Sequence, residues 1–341
     1  MTQSITLASC LTGAPGGMSY VRESLKLRLR ALLNQDQTRD WLALLNSHAM
    51  LRELAATCPR LIHKIYRPYL SNRLDCQQRL GVLMSHYRFV LQHGLAPAVS
   101  QAARAPLQLA RFAGKSGTLY SIELRAVSAM EREGEMILQL RCGDALVYSL
   151  AFSFMADLRR SAVGIGCVQG PQGADGLELI RVATRDLHGL RPKNLMVRLV
   201  RQLGHDYGCQ HLLLVGNDNR AVRQSVRKGL VLADYDALWL ELGAVRRADG
   251  DYQLPCSALQ APVMEEIPSK KRSEARKRHE LLEAIIDAVG VGLRMPQPSS
   301  LPHAPAQLPA SAAAVPVLAS YLPLAHLPEQ ALDAEYGAAI A

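Results

Sequence analysis

Aromatic side chains are scarce in this sequence, which holds four Phe and two Trp among 341 residues. Proteins that bind single-stranded nucleic acid stack bases on such rings, so the scarcity disfavours a nucleic-acid partner. No run of residues combines the length and the apolarity that a bilayer-spanning helix needs. We therefore predict a protein without a transmembrane segment.

Several motifs of catalysis and ligand binding are also missing. The sequence has no HExxH, no Walker loop, no Ser-His-Asp arrangement and no glycine fingerprint of the dinucleotide type. Its seven cysteines are scattered, odd in number and without a CxxC pair, which predicts reduced thiols and no metal site. The segment Leu7-Ala8-Ser9-Cys10 resembles a lipoprotein cleavage box. Because no positive charge precedes it and the apolar run is short, we expect no lipid anchor there.

The composition is that of a soluble protein with a packed core. The apolar fraction is 49% and the charged fraction 20%, and the length allows two compact parts. The net charge of +9 and the isoelectric point of about 9.3 permit anionic partners without selecting one. We predict a cytoplasmic protein, peripheral at the inner membrane if its partner is a lipid.

Changes in residue pattern divide the chain into four predicted parts. Residues 1–18 are small and uncharged, which predicts a disordered N-terminus. Residues 19–113 repeat apolar residues at helical spacing, including one helix over Arg73–His93 and a further one over Ala96–Phe112. Residues 114–290 are predicted to form a sheet with helices. Residues 291–341 are rich in Pro and Ala and predict a disordered tail.

The third part begins with alternating or apolar runs that predict an antiparallel meander. The runs TLYSIELRAV, EMILQLRC and ALVYSLAFSF are separated by Glu133-Gly134 and Gly143-Asp144, both hairpin signals. SAVGIGCVQG predicts a fourth strand, and YDALWLEL, further on, predicts another. Strands with interspersed helices indicate an α+β class, in which helices flank a mixed sheet.

The segment Glu178–Gly216 is the strongest candidate for a binding site. It predicts a strand over Glu178–Thr184, a loop over Asp186–Lys193, an amphipathic helix, and a short buried strand HLLLV. A helix start presents backbone amides and a positive dipole end to an anion. Lys and Arg are unfavourable at that end, so Arg191 and Lys193 indicate a compensating anion or acidic partner, unless both are simply solvated.

Other polar residues of this region have both functional and structural interpretations. His188 is a candidate general base or phosphate donor, or a residue that caps the turn. Glu178 is a candidate base, although an exposed carboxylate is the more common state. Asn219 follows the HLLLV strand, where α/β sheets bind ligands, and it is equally typical of a turn.

Three segments together resemble the VirK/YbjX family of bacterial proteins over roughly residues 20–290. They are RPYL with the pair His86-Tyr87, the loop HGLRPK (His188–Lys193), and YDALWLELG followed by EEIPSKKR. The resemblance implies roles in virulence, in stress response and in resistance to cationic antimicrobial peptides. It implies no established reaction.

The chain is also similar, more distantly, to the Gcn5-related N-acetyltransferase (GNAT) fold. In that fold a strand leads into a glycine loop that holds the pyrophosphate of acyl-CoA at a helix start. The loop Asp186–Arg191 takes this place here, with Gly189 matching, while Asp186 and Arg191 depart from the pattern. Ala221 and Gly229 match a later segment, and Ser225 stands where a proton-donating Tyr is often found.

Two hypotheses follow from these patterns. The first is a GNAT-like acyltransferase that takes an acyl-CoA or acyl carrier protein thioester and modifies an envelope precursor or a protein. Its predicted catalytic residues are His188, Glu178 and Ser225, and its predicted cofactor-binding residues are Gly189, Leu190, Arg191, Lys193, Asn194 and Asn219. The second is a non-catalytic protein whose basic face binds an anionic lipid or a protein partner.

Overall fold

The computed structural model describes residues 4–11, 18–128, 130–157, 160–222 and 233–295. Its N-terminal part is helical, as the sequence predicts, with α1 Met18–Leu33, α2 Gln35–Ser47, α3 Ala49–Thr57, α4 Cys76–Gln92 and α5 Ala96–Arg104. A 3-10 helix, Pro59–Tyr66, precedes α4. α4 begins at a capping box in which the Asp75 carboxylate accepts from Gln78 N and the Gln78 side chain accepts from Asp75 N.

A single mixed sheet follows the helices. In the described residues it has eight strands: β1 Leu107–Ala113, β2 Leu119–Ala126, β3 Met136–Cys142, β4 Ala145–Asp157, β5 Arg160–Gln169, β6 His211–Leu214, β7 Val245–Arg246 and β8 Tyr252–Pro255. Their order is β1-β2-β3-β4-β5-β6-β8-β7. All neighbours are antiparallel except β5 and β6, which pair in parallel from Ala162 with His211 to Ile165 with Leu214. The predicted mixed sheet is thus confirmed.

Helices complete the fold on both sides of this parallel pair. Their bounds are α6 Gly173–Asp186, α7 Pro192–Asp206, α8 Tyr235–Glu241 and α9 Ser269–Arg294. Parallel strands need a crossover connection, and α6 with α7 forms the one between β5 and β6. Residues of α7, α9, the N-terminal helices and the sheet all belong to one hydrophobic core.

The strand predicted over Glu178–Thr184 is wrong, because this segment lies within α6. The helix buries its small residues Gly176 and Ala183, whereas the larger Leu177 and Val182 are exposed. Small buried residues carry little hydrophobic signal, so the helical period was weak in the sequence. The predicted strand–helix–strand unit is therefore a strand followed by two helices and a strand.

Two further element predictions are wrong for local reasons. YDALWLEL is α8, which starts where the Asp234 carboxylate accepts from Ala237 N, and it buries Tyr235, Leu238 and Trp239 at helical spacing. The helix predicted over Ala96–Phe112 ends at Arg104, because Pro106 disfavours the helical conformation in the residue before it. β1 follows immediately. The signal Glu133-Gly134 lies in a long connection, residues 127–135, instead of a tight hairpin.

Residues Met1–Pro296 form one compact unit. The predicted tail, residues 291–341, begins within α9, which ends at Arg294; residues 296–341 lie outside the described residues, so their disorder stays a prediction. Within the predicted disordered N-terminus, Leu7–Leu11 is a 3-10 helix and Ile5 is buried, with Ile5 N donating to Asn46 Oδ1 over 2.8 Å. The boundary predicted at residues 113 and 114 stays a prediction.

A buried ion pair connects the helices to the sheet. Lys64, in the 3-10 helix, places Nζ 2.5 Å from Glu135 Oε1, and the Tyr87 hydroxyl donates to Glu135 Oε2. Lys64 and Glu135 are 4% and 1% exposed. Lys64 also donates to the carbonyl of Val127 over 3.2 Å. Breaking a buried pair from one side leaves an uncompensated charge, which is costly.

Replacement of Lys64 tests this connection. We expect Lys64→Met to lower the free energy of unfolding by about 3–5 kcal/mol, measured by urea denaturation, because the Glu135 carboxylate loses its cation. The matched control Arg39→Met removes a cation from an exposed pair with Asp36 and is expected to cost about 1 kcal/mol or less. Equal losses in the two variants would contradict the assignment.

Candidate functional site

The loop Leu187–Arg191 joins α6 to α7. Gly189 N donates to Thr184 O over 2.8 Å and Leu187 N to Ala183 O over 2.9 Å, which closes the end of α6. His188 and Gly189 both have left-handed backbone, with φ of 53° and 76°. The loop therefore joins two helices, and the prediction of a strand-to-helix loop at Gly189 is wrong. The predicted helix start at Pro192 is confirmed.

An acidic residue of the chain itself compensates Arg191 in this loop and Lys193 in the first turn of α7. Arg191 Nη1 lies 2.7 Å from Glu241 Oε1, and Lys193 Nζ lies 2.8 Å from Glu241 Oε2. The hydrogen bond from Lys193 and the two positive charges lower the pKa of the Glu241 carboxyl. The anion expected at the start of α7 from the dipole argument is thus partly supplied by α8.

A pocket of about 360 Å³ opens beside the same loop. It lies between the first turns of α7, the first half of α9 and the segment after β8. The residues that line it are Gly189, Leu190, Arg191, Asn194, Arg198, Leu259, Gln260, Pro262, Ala275, Arg278, His279 and Leu282. Four of the six predicted cofactor-binding residues, Gly189, Leu190, Arg191 and Asn194, therefore share one concavity, which Lys193 and Asn219 do not line.

Uncompensated positive charge characterises this pocket. Loss of contact with water lowers the pKa of Arg198, and the charges of Arg278 and Arg201 lower it further. Within the described part of the chain, neither Arg198 nor Arg278 forms an ion pair; Arg278 Nη1 donates to the His188 carbonyl over 3.4 Å. A Cβ added at Gly189 would stand 3.6 Å from Arg278 Nη1 and 4.0 Å from Glu274 Oε1. One carboxylate thus lies at the edge of the pocket.

Asn194 and His188 both lie near the pocket, but only Asn194 lines it. The Oδ1 atom of Asn194 is buried and accepts no hydrogen bond from the described residues. His188 contributes its backbone carbonyl to Arg278, and its side chain does not line the pocket. The arrangement supplies hydrogen-bond donors and positive charge, which suits the binding of an anion more directly than acid–base chemistry.

The remaining predicted site residues lie elsewhere. Glu178 is on the exposed surface of α6, 3.6 Å from Arg181 and 3.2 Å from Arg185. Asn219 is buried and fully engaged: its amide nitrogen donates to Asp249 O and Asp251 Oδ1, and its amide oxygen accepts from Arg73 Nε. Ser225 and Gly229 lie outside the described residues. The three predicted catalytic residues are therefore not seen together.

Sequence reasoning missed a buried cluster beside β5, just past its pairing with β6. The Tyr235 hydroxyl donates to Cys167 Sγ over 3.2 Å and accepts from Val168 N over 2.8 Å. The Arg220 guanidinium carbon lies 3.8 Å from the centre of the Tyr235 ring. Burial raises the pKa of the Glu133 carboxyl to about 7, against the opposing effects of Arg220, Cys167 and Arg132.

A glycine, Gly166, allows the backbone of Glu133 to lie close to β5. A Cβ at Gly166 would collide with the carbonyl oxygen of Glu133, so only glycine lets the backbone of Glu133 lie this close to β5. Non-glycine residues with left-handed backbone concentrate here too: Leu70, Val127 and Met130 have φ of 59°, 64° and 48°. Such strain persists only where surrounding packing enforces it, and it clusters at functional sites. In the sequence, Glu133 beside Gly134 indicated only a turn.

Residues 16–290 match the family described as "Protein of unknown function (DUF535)". The chain belongs to this family. The uncharacterized protein YbjX of Escherichia coli is 30% identical over 265 residues, which cover 76% of this chain and 80% of YbjX. The VirK/YbjX resemblance stated from the sequence is thereby confirmed. A relative named membrane protein LapB, from Mannheimia haemolytica, is 27% identical over 58% of this chain and 84% of its own length.

Among solved structures, a cAMP-binding acyltransferase from Mycobacterium smegmatis aligns with 61% of this chain and 60% of its own. The TM-score is 0.26 and the sequence identity 11%, so this likeness carries no argument about the activity of the DUF535 chain. In the residues that the structure covers, no helix has both the length and the apolarity to cross a bilayer.

The pKa of Glu133 predicts a pH-dependent stability. The folded protein keeps this proton up to a pH of about 7, whereas the unfolded chain releases it near its usual pKa of 4.5. Stability is therefore lost as the pH rises through this range. Glu133→Gln stays neutral at every pH. We therefore expect its free energy of unfolding, measured by urea denaturation, to rise by about 2–3 kcal/mol relative to that of wild type between pH 5 and pH 8.

The control for this experiment is Glu178→Gln, which changes a carboxyl on the exposed surface of α6. Its difference from wild type is expected to stay within about 0.5 kcal/mol at every pH. A Glu133→Gln difference that stays flat over the same range would refute the assignment of a buried, proton-holding Glu133.

Proposed function

We propose that the pocket between α7 and α9 binds a phosphate-bearing anionic group. The observation that carries this proposal is the pair Arg198 and Arg278, which face one concavity without an ion pair among the described residues. Like charges held together cost free energy in the empty protein, and a bound anion removes that cost. Guanidinium groups match the oxygens of a phosphate in a bidentate fashion.

The start of α7 adds to this preference. Its first turn lines the same pocket as the two arginines, so the positive dipole end lies beside it. Glu241 neutralises Arg191 and Lys193 beside the pocket and leaves Arg198 and Arg278 for a ligand. A pocket of about 360 Å³ has room for a phosphate or diphosphate with the group next to it.

Two sources of such a group correspond to the two hypotheses from the sequence. The diphosphate of an acyl-CoA, or the phosphopantetheine of an acyl carrier protein, would serve an acyltransferase. The headgroup of an anionic lipid would serve a non-catalytic protein. We favour binding without catalysis, because Glu178 is engaged in surface ion pairs and Asn219 is fully bonded. The name of the Mannheimia relative, a membrane protein, supports the lipid source.

In this proposal the protein is cytoplasmic and peripheral at the inner membrane, where it holds an anionic lipid or envelope precursor. Retention of anionic headgroups by a basic pocket would contribute to envelope integrity under stress. It would contribute in the same way to virulence and to resistance against cationic antimicrobial peptides, the roles that the family resemblance implies.

Calorimetric titration with inorganic pyrophosphate, coenzyme A and short-chain phosphatidylglycerol tests the pocket and distinguishes the sources. We expect the double variant Arg198→Gln/Arg278→Gln to weaken binding at least about tenfold, because each charged hydrogen bond contributes roughly 1.5–3 kcal/mol. Arg276→Gln, which removes an exposed charge from α9 outside the pocket, is the control and is expected to keep wild-type affinity.

The ligand with the highest affinity identifies the source of the phosphate. Preference for coenzyme A supports an acyl donor, and preference for the phosphatidylglycerol supports a lipid. Wild-type heat with none of the three ligands, or equal loss in Arg276→Gln and the double variant, would refute a specific anion pocket. Binding that disappears equally in all variants at raised salt would indicate net charge alone.

A further inference from the structure

α1 turns a row of large apolar side chains toward solvent. Val21, Leu25, Leu29 and Leu32 are 60%, 68%, 53% and 63% exposed. The helix contacts the rest of the protein through its other side, where Leu27 is 1% exposed. Scattered exposed apolar residues are ordinary, but a contiguous row on one helix indicates an interaction surface.

Positive charge borders this row on both sides. Helical residues advance by about 100° each, so the four apolar side chains fall within about 80° of arc. On the same projection Arg22 lies at one margin and Arg28 at the other. Within the described chain neither forms an ion pair, and the acid of the helix, Glu23, lies 3.8 Å from Lys26. The outward side of α1 is therefore an apolar centre between unpaired cations.

We propose that α1 is an interfacial helix that lies in the headgroup layer of an anionic bilayer, with the leucine row toward the acyl chains. An amphipathic helix in that position buries its apolar side at the boundary and sets Lys and Arg among the headgroups. Anionic lipid headgroups are the complement of Arg22 and Arg28. The helix is short and carries charges, so it lies on the surface and does not span.

A second copy of the chain is a poorer occupant of the same surface. If two α1 helices paired through the leucine row, Arg22 and Arg28 would flank the seam on both helices. Positions beside a helical seam set partner choice through opposite charges, and like charges there are unfavourable. The charge pattern therefore selects an anionic surface over self-association.

The role of α1 does not rest on the pocket between α7 and α9, because none of the pocket residues belongs to α1. A leucine variant should lose the bilayer and keep its affinity for soluble pyrophosphate. The pocket variant Arg198→Gln/Arg278→Gln should lose pyrophosphate and still reach the bilayer through α1. Failure of one proposal is thus distinguishable from failure of the other.

Vesicle flotation with the full chain tests this inference. Vesicles of phosphatidylcholine with phosphatidylglycerol are compared with vesicles of phosphatidylcholine alone. We expect Leu25→Gln/Leu29→Gln/Leu32→Gln to reduce partitioning onto the anionic vesicles on the order of tenfold or more, since each change removes apolar area from the bilayer contact. Leu177→Gln/Val182→Gln, which alters exposed apolar residues of α6, is the matched control and should float like wild type.

Two further measurements separate the contributions of the row and of the charges. Arg22→Gln/Arg28→Gln should reduce binding to the anionic vesicles and leave the weak binding to neutral ones unchanged. In Leu29→Trp, tryptophan emission should shift to shorter wavelength on addition of anionic vesicles and be quenched by brominated lipid. Because all these residues are exposed, the thermal midpoint of each variant should match wild type.

Several outcomes would overturn the proposal. These are wild-type protein that does not float, a triple leucine variant that floats like wild type, or equal flotation on neutral and anionic vesicles. Light scattering that shows a dimer abolished by the leucine changes would assign the row to a second copy instead.

Discussion

The parallel pairing of β5 with β6 is the constraint on which the rest of the site depends. Two adjacent strands that run the same way cannot be joined by a hairpin, so the chain must cross the sheet between them. α6 and α7 provide that crossing; the loop between them exposes Gly189, and the buried Pro192 starts α7. Because α9 also packs against α7, a concavity forms where the turn, α7 and α9 meet.

The cations near this pocket fall into two groups, those that form an ion pair with Glu241 and those that form none among the described residues. Glu241 holds Arg191 and Lys193, whereas Arg198 and Arg278 line the pocket without an ion-pair partner among the described residues. The difference decides which cations are available for a ligand. The buried group of Glu133, Cys167 and Tyr235 lies beside β5 and depends on the absence of a side chain at Gly166. This buried group affects the stability of the fold and the way in which that stability changes with pH.

Local signals in the sequence predicted the elements that they control. The amphipathic pattern after the HGLRPK loop corresponds to α7, and Gly143-Asp144 marked the turn between β3 and β4. The prediction failed where long-range packing decides. α6 buries Gly176 and Ala183, whose small side chains give no clear period, and Glu241 reaches its partners across about fifty residues of chain. The pocket residues after β8 had no local signal, since their role arises only when α9 returns to α7.

The two ion pairs of Glu241 constrain how the sequence can vary during evolution. They tie the HGLRPK segment to the YDALWLELG segment through one side chain. If position 241 were neutral, Arg191 and Lys193 would lie at the positive end of α7 without compensation. If both cations were lost, the Glu241 carboxylate would lose its ion-pair partners. The two segments are therefore expected to vary as one inherited unit, exchanging acid and bases together.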